Sequence, residues 1–316
     1  MENLFNNSLM LNEEVFTAIM QRIKKGTKRR ICEPQIIIGA PGSGKTVLLM
    51  RLFHAVYSLS SFRPIFLSGL SIFSNADLIP PATKMRCVLF VDDFHYYLKR
   101  TSNSEQFELR GLLSKEDSPI LVAAVPSMMP QLTDYEAAFF EGFRVYYLNP
   151  ISDESLKSII RGTNEDLQRA HLLMNYLPKT PRSATIVREI IRNSEAKEDD
   201  LDALIQRMSP LYLAIFDALS PKQQRILCAL SGATEGVQLS DLRRETGQDT
   251  GMISPYLTQM LERGLITKES KSKRGGFYRI SNPLFDLWLQ KNVSKITPRN
   301  HPDSEAVHSG IKEVNE

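Results

Sequence analysis

Two short stretches of the chain carry groups that can do chemistry. Residues 39–46 read Gly-Ala-Pro-Gly-Ser-Gly-Lys-Thr, a full match to G-x-x-x-x-G-K-[ST]. Gly42 and Gly44 allow a positive φ, which turns backbone N–H groups inward onto phosphate oxygens. Lys45 adds a positive charge for the β- and γ-phosphates, and Thr46 offers a hydroxyl to Mg²⁺. Gly39, Ala40, Pro41, Ser43 and Val47 complete the predicted cradle. A helix running on from Thr46 would point its positive dipole end at the same anion. The ligand that fits this chemistry is a nucleoside triphosphate, ATP, with Mg²⁺.

The second stretch is Cys-Val-Leu-Phe-Val-Asp-Asp at 87–93. Five apolar residues predict a buried parallel strand with two carboxylates at its C-terminal end, where ligands bind in open α/β sheets. Asp92 would hold Mg²⁺, directly or through water, and Asp93 would orient and activate the attacking water. The other use for such a pair is to cap the next helix. His95 and Tyr96 follow closely and read as packing or surface residues.

Positioning these groups needs alternating strands and helices, and the hydrophobic pattern supplies them. Residues 12–25 predict an amphipathic helix through Val15, Ile19 and Ile23. Strands are predicted at Gln35–Gly39, Pro64–Leu67, Cys87–Val91, Ile120–Val125 and Val145–Leu148. Helices are predicted at Val47–Tyr57, Glu105–Leu113 and Tyr135–Glu141. That alternation indicates an α/β domain with a mainly parallel sheet, five strands being predicted within residues 1–150. The phosphate loop at the end of the first strand makes the expected fold class a P-loop NTPase with a parallel five-stranded sheet.

After Pro150 only helices are predicted: Asp153–Arg161, Glu165–Leu177, Pro181–Asn193 and Asp200–Arg207. Residues 151–217 therefore read as a small helical domain, the one that the resemblance given below implies to be a helical lid domain. At Ser220 a capping box opens a third unit, residues 218–297. Its three helices and a hairpin centred on Gly275-Gly276 predict a C-terminal winged-helix domain. Residues 298–316 are polar, contain Pro298 and Pro302, and read as a disordered tail.

The 316 residues are 42% hydrophobic and 24% charged, a globular mix, with a net charge of only +3. Divided by segment, the charge is informative. Residues 1–219 are neutral, 220–297 carry +5 and 298–316 carry −2. Three cysteines without a CxxC pair imply a reducing cytosol, hence a cytoplasmic protein. The N-terminus lacks a basic n-region, and no apolar run approaches the ~18 residues of a membrane span, so secreted and membrane readings are set aside.

GAPGSGKT, VLFVDD and the helical and winged-helix pattern together resemble the AAA+/STAND class of P-loop ATPases. Within it the chain is most similar to the archaeal-type ATPases and the origin-recognition group, over about residues 12–290. The second acidic position is more often Glu in active ATPases of this type; here it is Asp93, one methylene shorter. The resemblance implies a γ-phosphate sensor at Ser127, after the fourth strand. It implies an arginine finger for a neighbouring subunit at Arg144, just before the fifth strand. It also implies a lid arginine at Arg182, in Thr180-Pro181-Arg182, although the usual glycine of that turn is absent. Turnover would be slow unless a partner, a second copy or another protein, supplies an arginine.

In the basic unit, a third helix would offer Ser254, Tyr256, Thr258 and Gln259 to a major groove. The wing carries Lys271, Lys273 and Arg274, and the second helix carries Arg243 and Arg244, all suited to phosphates. These residues predict weakly sequence-specific binding of double-stranded DNA. Six further cations, Arg22, Lys24, Lys25, Lys28, Arg29 and Arg30, lie within nine residues. They either complement a helix C-terminus or make a second phosphate contact. The leading expectation is an ATPase coupling nucleotide state to DNA binding. The alternatives are a STAND-type signalling switch whose winged helix contacts protein, and a nucleotide-sensing transcriptional regulator.

Overall fold

The computed structural model describes residues 12–26, 31–81, 84–194, 199–233, 235–247, 250–272 and 275–296. The chain divides into two compact units, Met1–Asn193 and Ser194–Glu316.

The first unit is built on five parallel strands: β1 (Gln35–Ile38), β2 (Phe62–Ser68), β3 (Arg86–Asp92), β4 (Ile120–Val125) and β5 (Arg144–Tyr147), in the order β2-β3-β4-β1-β5. The three central strands are near-continuous apolar runs because both of their faces are covered. On one face, α1 (Glu13–Gly26) and α2 (Lys45–Tyr57) bury Ile19, Ile23, Leu49 and Leu52 against Ile37, Phe90 and Val122. On the other, α3 (His95–Arg100) and α4 (Asn103–Leu113) bury Tyr97, Leu98 and Leu109 against Ile36, Val91 and Ala123. Odd and even residues of one strand thus feed two different cores, as the two-residue period of a strand requires.

One predicted helix is absent. After the short α5 (Pro130–Thr133), residues 134–143 fold as consecutive turns rather than as a helix over Tyr135–Glu141. The Asp134 carboxylate accepts from the Glu136 N–H at 3.1 Å, and Glu141 takes a φ of 49°. The Asn103 side chain accepts from the Ala138 N–H. These local and tertiary bonds outcompete the helical ladder. The unit closes with α6 (Asp153–Ile160), α7 (Asn164–Met174) and α8 (Pro181–Asn193).

The second unit begins with α9 (Asp200–Asp217), followed by α10 (Pro221–Leu230), β6 (Val237–Gln238), α11 (Leu239–Thr246), α12 (Thr250–Glu262), β7 (Ile266–Ser272), β8 (Gly275–Ile280) and α13 (Pro283–Ile296). The strands form an antiparallel sheet in the order β6-β8-β7. The sequence reading grouped α9 with the preceding helices and ended it at Arg207. It instead continues through Pro210, and its Tyr212 and Phe216 rings pack on the buried Trp288 of α13. The Trp288 indole N–H donates to Ser209 Oγ at 2.8 Å, satisfying its one polar atom. This aromatic cluster binds α9 to the second unit. Among the described residues no helix is long and apolar enough to cross a membrane.

Candidate nucleotide-binding site

Three loops leave the C-terminal ends of the parallel strands side by side. The Gly39 N–H after β1 donates to Val125 O of β4 at 3.3 Å, and the Phe94 N–H after β3 donates to Ala124 O at 2.9 Å. The phosphate loop, Asp92-Asp93 and Pro126-Ser127 therefore share one edge of the sheet. Ser127 lies exposed on that edge, two residues beyond β4.

Gly42 and Gly44 take φ values of 81° and 95°, a region costly for other residues, and Gly44 starts α2. The Lys45 ammonium is folded into the loop, donating to Gly39 O at 2.6 Å and Ala40 O at 3.2 Å. Burial pushes its pKa below the ordinary lysine value, while Asp92 and Asp93 pull it back up. A cation held by two neutral carbonyls and facing two carboxylates can exchange those carbonyls for phosphate oxygens. Ser43 is buried, and its Oγ has no hydrogen-bond partner among the described residues. An unsatisfied buried hydroxyl within this loop suits a polar, phosphate-bearing ligand.

The Thr46 hydroxyl donates to Asp92 Oδ2 at 2.5 Å, joining the loop to the acidic strand end. A hard cation such as Mg²⁺ takes one or two protein oxygens, with phosphates and water completing its shell, and this pair fits that requirement. Among the described residues there is no cluster of three or more His, Cys, Asp or Glu that would hold a metal by itself. Asp93 follows with a φ of 52°, and its N–H donates to Asp92 Oδ1 at 3.0 Å. His95 Nδ1 lies 3.8 Å from Asp93 Oδ1, and burial lowers the imidazole pKa more than Asp93 raises it.

The start of α8 abuts the phosphate loop. The Arg182 N–H donates to Gly42 O at 3.4 Å, and a Cβ on Gly42 would lie 3.1 Å from Arg182 Cβ and 3.2 Å from Thr180 Oγ1. Buried Thr180 caps the helix, accepting from the Ser183 N–H at 3.2 Å. The Arg182 side chain is exposed. Arg144 does not join this group. It pairs with Gln35 at the N-terminal end of β1 and β5, the opposite end of the sheet from the phosphate loop.

Sequence reasoning gave no role of their own to three of these residues. A Cβ on Gly69, just after β2, would lie 2.2 Å from Asp93 O, so only glycine lets that turn approach the acidic strand end. Thr180 and Ser183 form the buried pair behind Gly42. The Thr-x-x-Ser spacing ahead of an apolar stripe was the available signal; Gly69 announced itself only as a glycine at a strand end.

In the second unit, Ser254, Thr258 and Gln259 are exposed on α12 and Tyr256 is half-buried. Gln259 Oε1 accepts from Gln223 at 3.2 Å, and the Lys222 ammonium lies 5.6 Å from the Tyr256 ring centre. On α11, Arg244 pairs with Asp241 at 3.2 Å, and Arg243 is exposed. Lys271 belongs to β7, while Lys273 and Arg274 lie outside the described residues, as do Lys28, Arg29 and Arg30.

No family model matches the chain, and no curated protein does. Solved structures do. The Orc1 protein of Aeropyrum pernix in complex with DNA superposes with a TM-score of 0.60 at 10% identity, over 91% of this chain and 95% of that one. Drosophila ORC bound to DNA superposes with a TM-score of 0.50 at 14% identity, over 89% of this chain and 86% of that one. At these identities the likeness is one of fold. It is the fold that the strand order and the phosphate loop describe, and the chain has the fold of the origin-recognition type of AAA+ P-loop ATPase.

Proposed function

We propose that the protein binds ATP with Mg²⁺ at the phosphate loop, hydrolyses it slowly to ADP and phosphate, and couples the nucleotide state to double-stranded DNA. The observation that carries this reading is the contact of Thr46 with Asp92 beside a partly desolvated Lys45. Loop N–H groups and Lys45 would hold the phosphates, and Thr46 and Asp92 would hold the metal. Mg²⁺ supplies neutralisation of charge on the β- and γ-oxygens. Asp93, fixed next to Asp92, would orient the attacking water. Ser127 and Arg182 would read the γ-phosphate, and Arg182 would draw the helical lid onto it. Arg144 is too far from its own chain's loop and could act as a finger only toward a neighbour.

We read the elements α10 to β8 as the winged helix that contacts DNA, through Ser254, Tyr256, Thr258, Gln259, Arg243, Arg244, Lys271, Lys273 and Arg274. Support comes from the +5 of residues 220–297 and from fold neighbours whose structures contain DNA. One observation favours a protein-contacting module instead: Arg244 and Arg279 are already paired with Asp241 and Glu269 inside the unit.

Phosphate release from ATP by the full chain, against Lys45→Ala, tests the first part; equal rates would sink it. Duplex affinity across a salt series, against Lys273→Glu with Arg274→Glu, tests the second. Unchanged affinity and salt slope in that variant would favour the protein-contacting switch.

A further inference from the structure

A second cationic site lies at the other end of the sheet. On α1, Ala18, Gln21, Arg22 and Lys25 fall at i, i+3, i+4 and i+7, one stripe beside the buried Ile19, Ile23 and Gly26. On β5, Arg144 and Tyr146 alternate onto the face that meets this stripe. Together the six residues line a cleft of about 360 Å³. Ala18, the smallest of them, leaves the room.

The chemistry of the cleft is that of an oxyanion site. It holds three cations, Arg22, Lys25 and Arg144. Only Arg22 is neutralised by a described carboxylate, Glu33 at 3.2 Å. Among the described residues neither Lys25 nor Arg144 has an acidic partner. The Tyr146 hydroxyl donates to Gln35 Oε1 at 3.2 Å and is within hydrogen-bonding reach of Arg22. Gln35 is wholly buried, so it anchors the ring that positions Arg22. Lys25 gains from the C-terminal dipole of α1, but bringing Arg144 onto the same concave surface as Lys25 and Arg22 is repulsive, since like charges repel. Their arrangement is compensated when an anion occupies the cleft. The register Gln35↔Arg144 puts the site at the start of β1, whereas the phosphate loop follows its end. The two sites are therefore separate.

We propose that this cleft between α1 and β5 binds a phosphate oxyanion through Lys25, Arg144 and Arg22. Two sources share that chemistry: a polynucleotide phosphodiester backbone and a free phosphorylated small molecule. The site requires neither the phosphate loop nor the C-terminal unit.

The test uses the full chain carrying Lys45→Ala, which removes the competing cation of the phosphate loop. Pyrophosphate binding is read by calorimetry, and binding of a 20-base-pair duplex by anisotropy over a salt series. Into this background go Lys25→Ala with Arg144→Ala, Arg144→Gln alone, and the control Arg63→Ala. Arg63 is an exposed cation on β2, at the far edge of the sheet. Because Arg144 and Lys25 are exposed, these changes leave the cores intact, which thermal melting checks.

The double variant is expected to weaken pyrophosphate at least tenfold, Arg144→Gln to weaken it by less, and Arg63→Ala to leave it unchanged. If the source is a nucleic-acid backbone, duplex affinity falls as well, and its salt slope drops by about 1 to 2 for the phosphates no longer neutralised. If only pyrophosphate binding falls, the source is a free phosphate. Equal binding of both ligands by the double variant and the control overturns the site. Failure here leaves ATP hydrolysis untouched, because that reading stands or falls on Lys45 in the otherwise unaltered chain.

Discussion

Thr46 Oγ1 and Asp92 Oδ2 meet at 2.5 Å, although β4 lies between β1, which leads into the loop before Thr46, and β3, which ends at Asp92. The contact is a charge-assisted hydrogen bond, and its oxygens are the ones a divalent ion would claim. Thr46→Val keeps the shape and removes the oxygen. It should weaken binding of a fluorescent ATP analogue about tenfold or more in Mg²⁺, from a loss of ~1.5–3 kcal/mol. In EDTA the variant and the parent should bind alike. Equal loss with and without the ion would mean that Thr46 acts on the phosphates alone.

Asp93 sits at φ 52°, a region that Asp and Asn tolerate better than other non-glycine residues. Position 93 thus constrains both backbone and chemistry. Asp93→Asn should keep the melting temperature and ATP affinity while lowering kcat by roughly 10²-fold or more, the contribution of a positioned base. Asp93→Ala should lose the same activity and also about 1 kcal/mol of stability to left-handed strain. Phosphate-release assays paired with thermal melts separate the two effects. Full activity in Asp93→Asn would remove Asp93 from the chemistry.

Gly69 lies against the same residue from the turn just after β2. A Cβ there would sit 2.2 Å from Asp93 O, against backbone that cannot swing aside as a side-chain tip can. Gly69→Ala should therefore cost about 1–3 kcal/mol, as overpacking does. By shifting Asp93 it should lower hydrolysis more than ATP affinity. The check is kcat against nucleotide Kd in one preparation. A parallel fall of both would point to general unfolding.

The legible parts of this molecule were those fixed by local pattern. GAPGSGKT needs no tertiary information, and the apolar runs of β3 and β4 announced strands because burial on both faces leaves no room for polar residues. The turns at 134–143 were misread as a helix because the Asn103 amide that captures the Ala138 N–H is remote in sequence. The membership of α9 was hidden for a similar reason: its Tyr212 and Phe216 partner Trp288, over seventy residues away. Gly69 was silent because its role is a contact with another loop, whereas Thr180 carried a local capping signal and only its contact with Gly42 was hidden. Asp92, read from a strand end, meets the loop through Thr46, and Arg144, read as a finger toward a neighbouring subunit, starts β5 at the other end of the sheet.

Arg182 and Thr180 divide two tasks at the start of α8. Thr180 caps the helix from within, while Arg182 gives its N–H to the loop and keeps its side chain in solvent. An exposed cation in a first turn sits against the helix dipole, a mild cost that an incoming γ-phosphate would reverse. Arg182→Ala should therefore reduce affinity for a non-hydrolysable ATP analogue about tenfold while leaving ADP affinity within twofold, the signature of a γ-phosphate contact. Thr180→Ala should behave differently. Loss of the cap costs about 0.5–2 kcal/mol of stability and loosens the backbone contact with Gly42, so ATP and ADP should weaken together. Titrating both nucleotides against both variants decides the matter, and equal loss of ATP and ADP in Arg182→Ala would reduce that side chain to a surface charge.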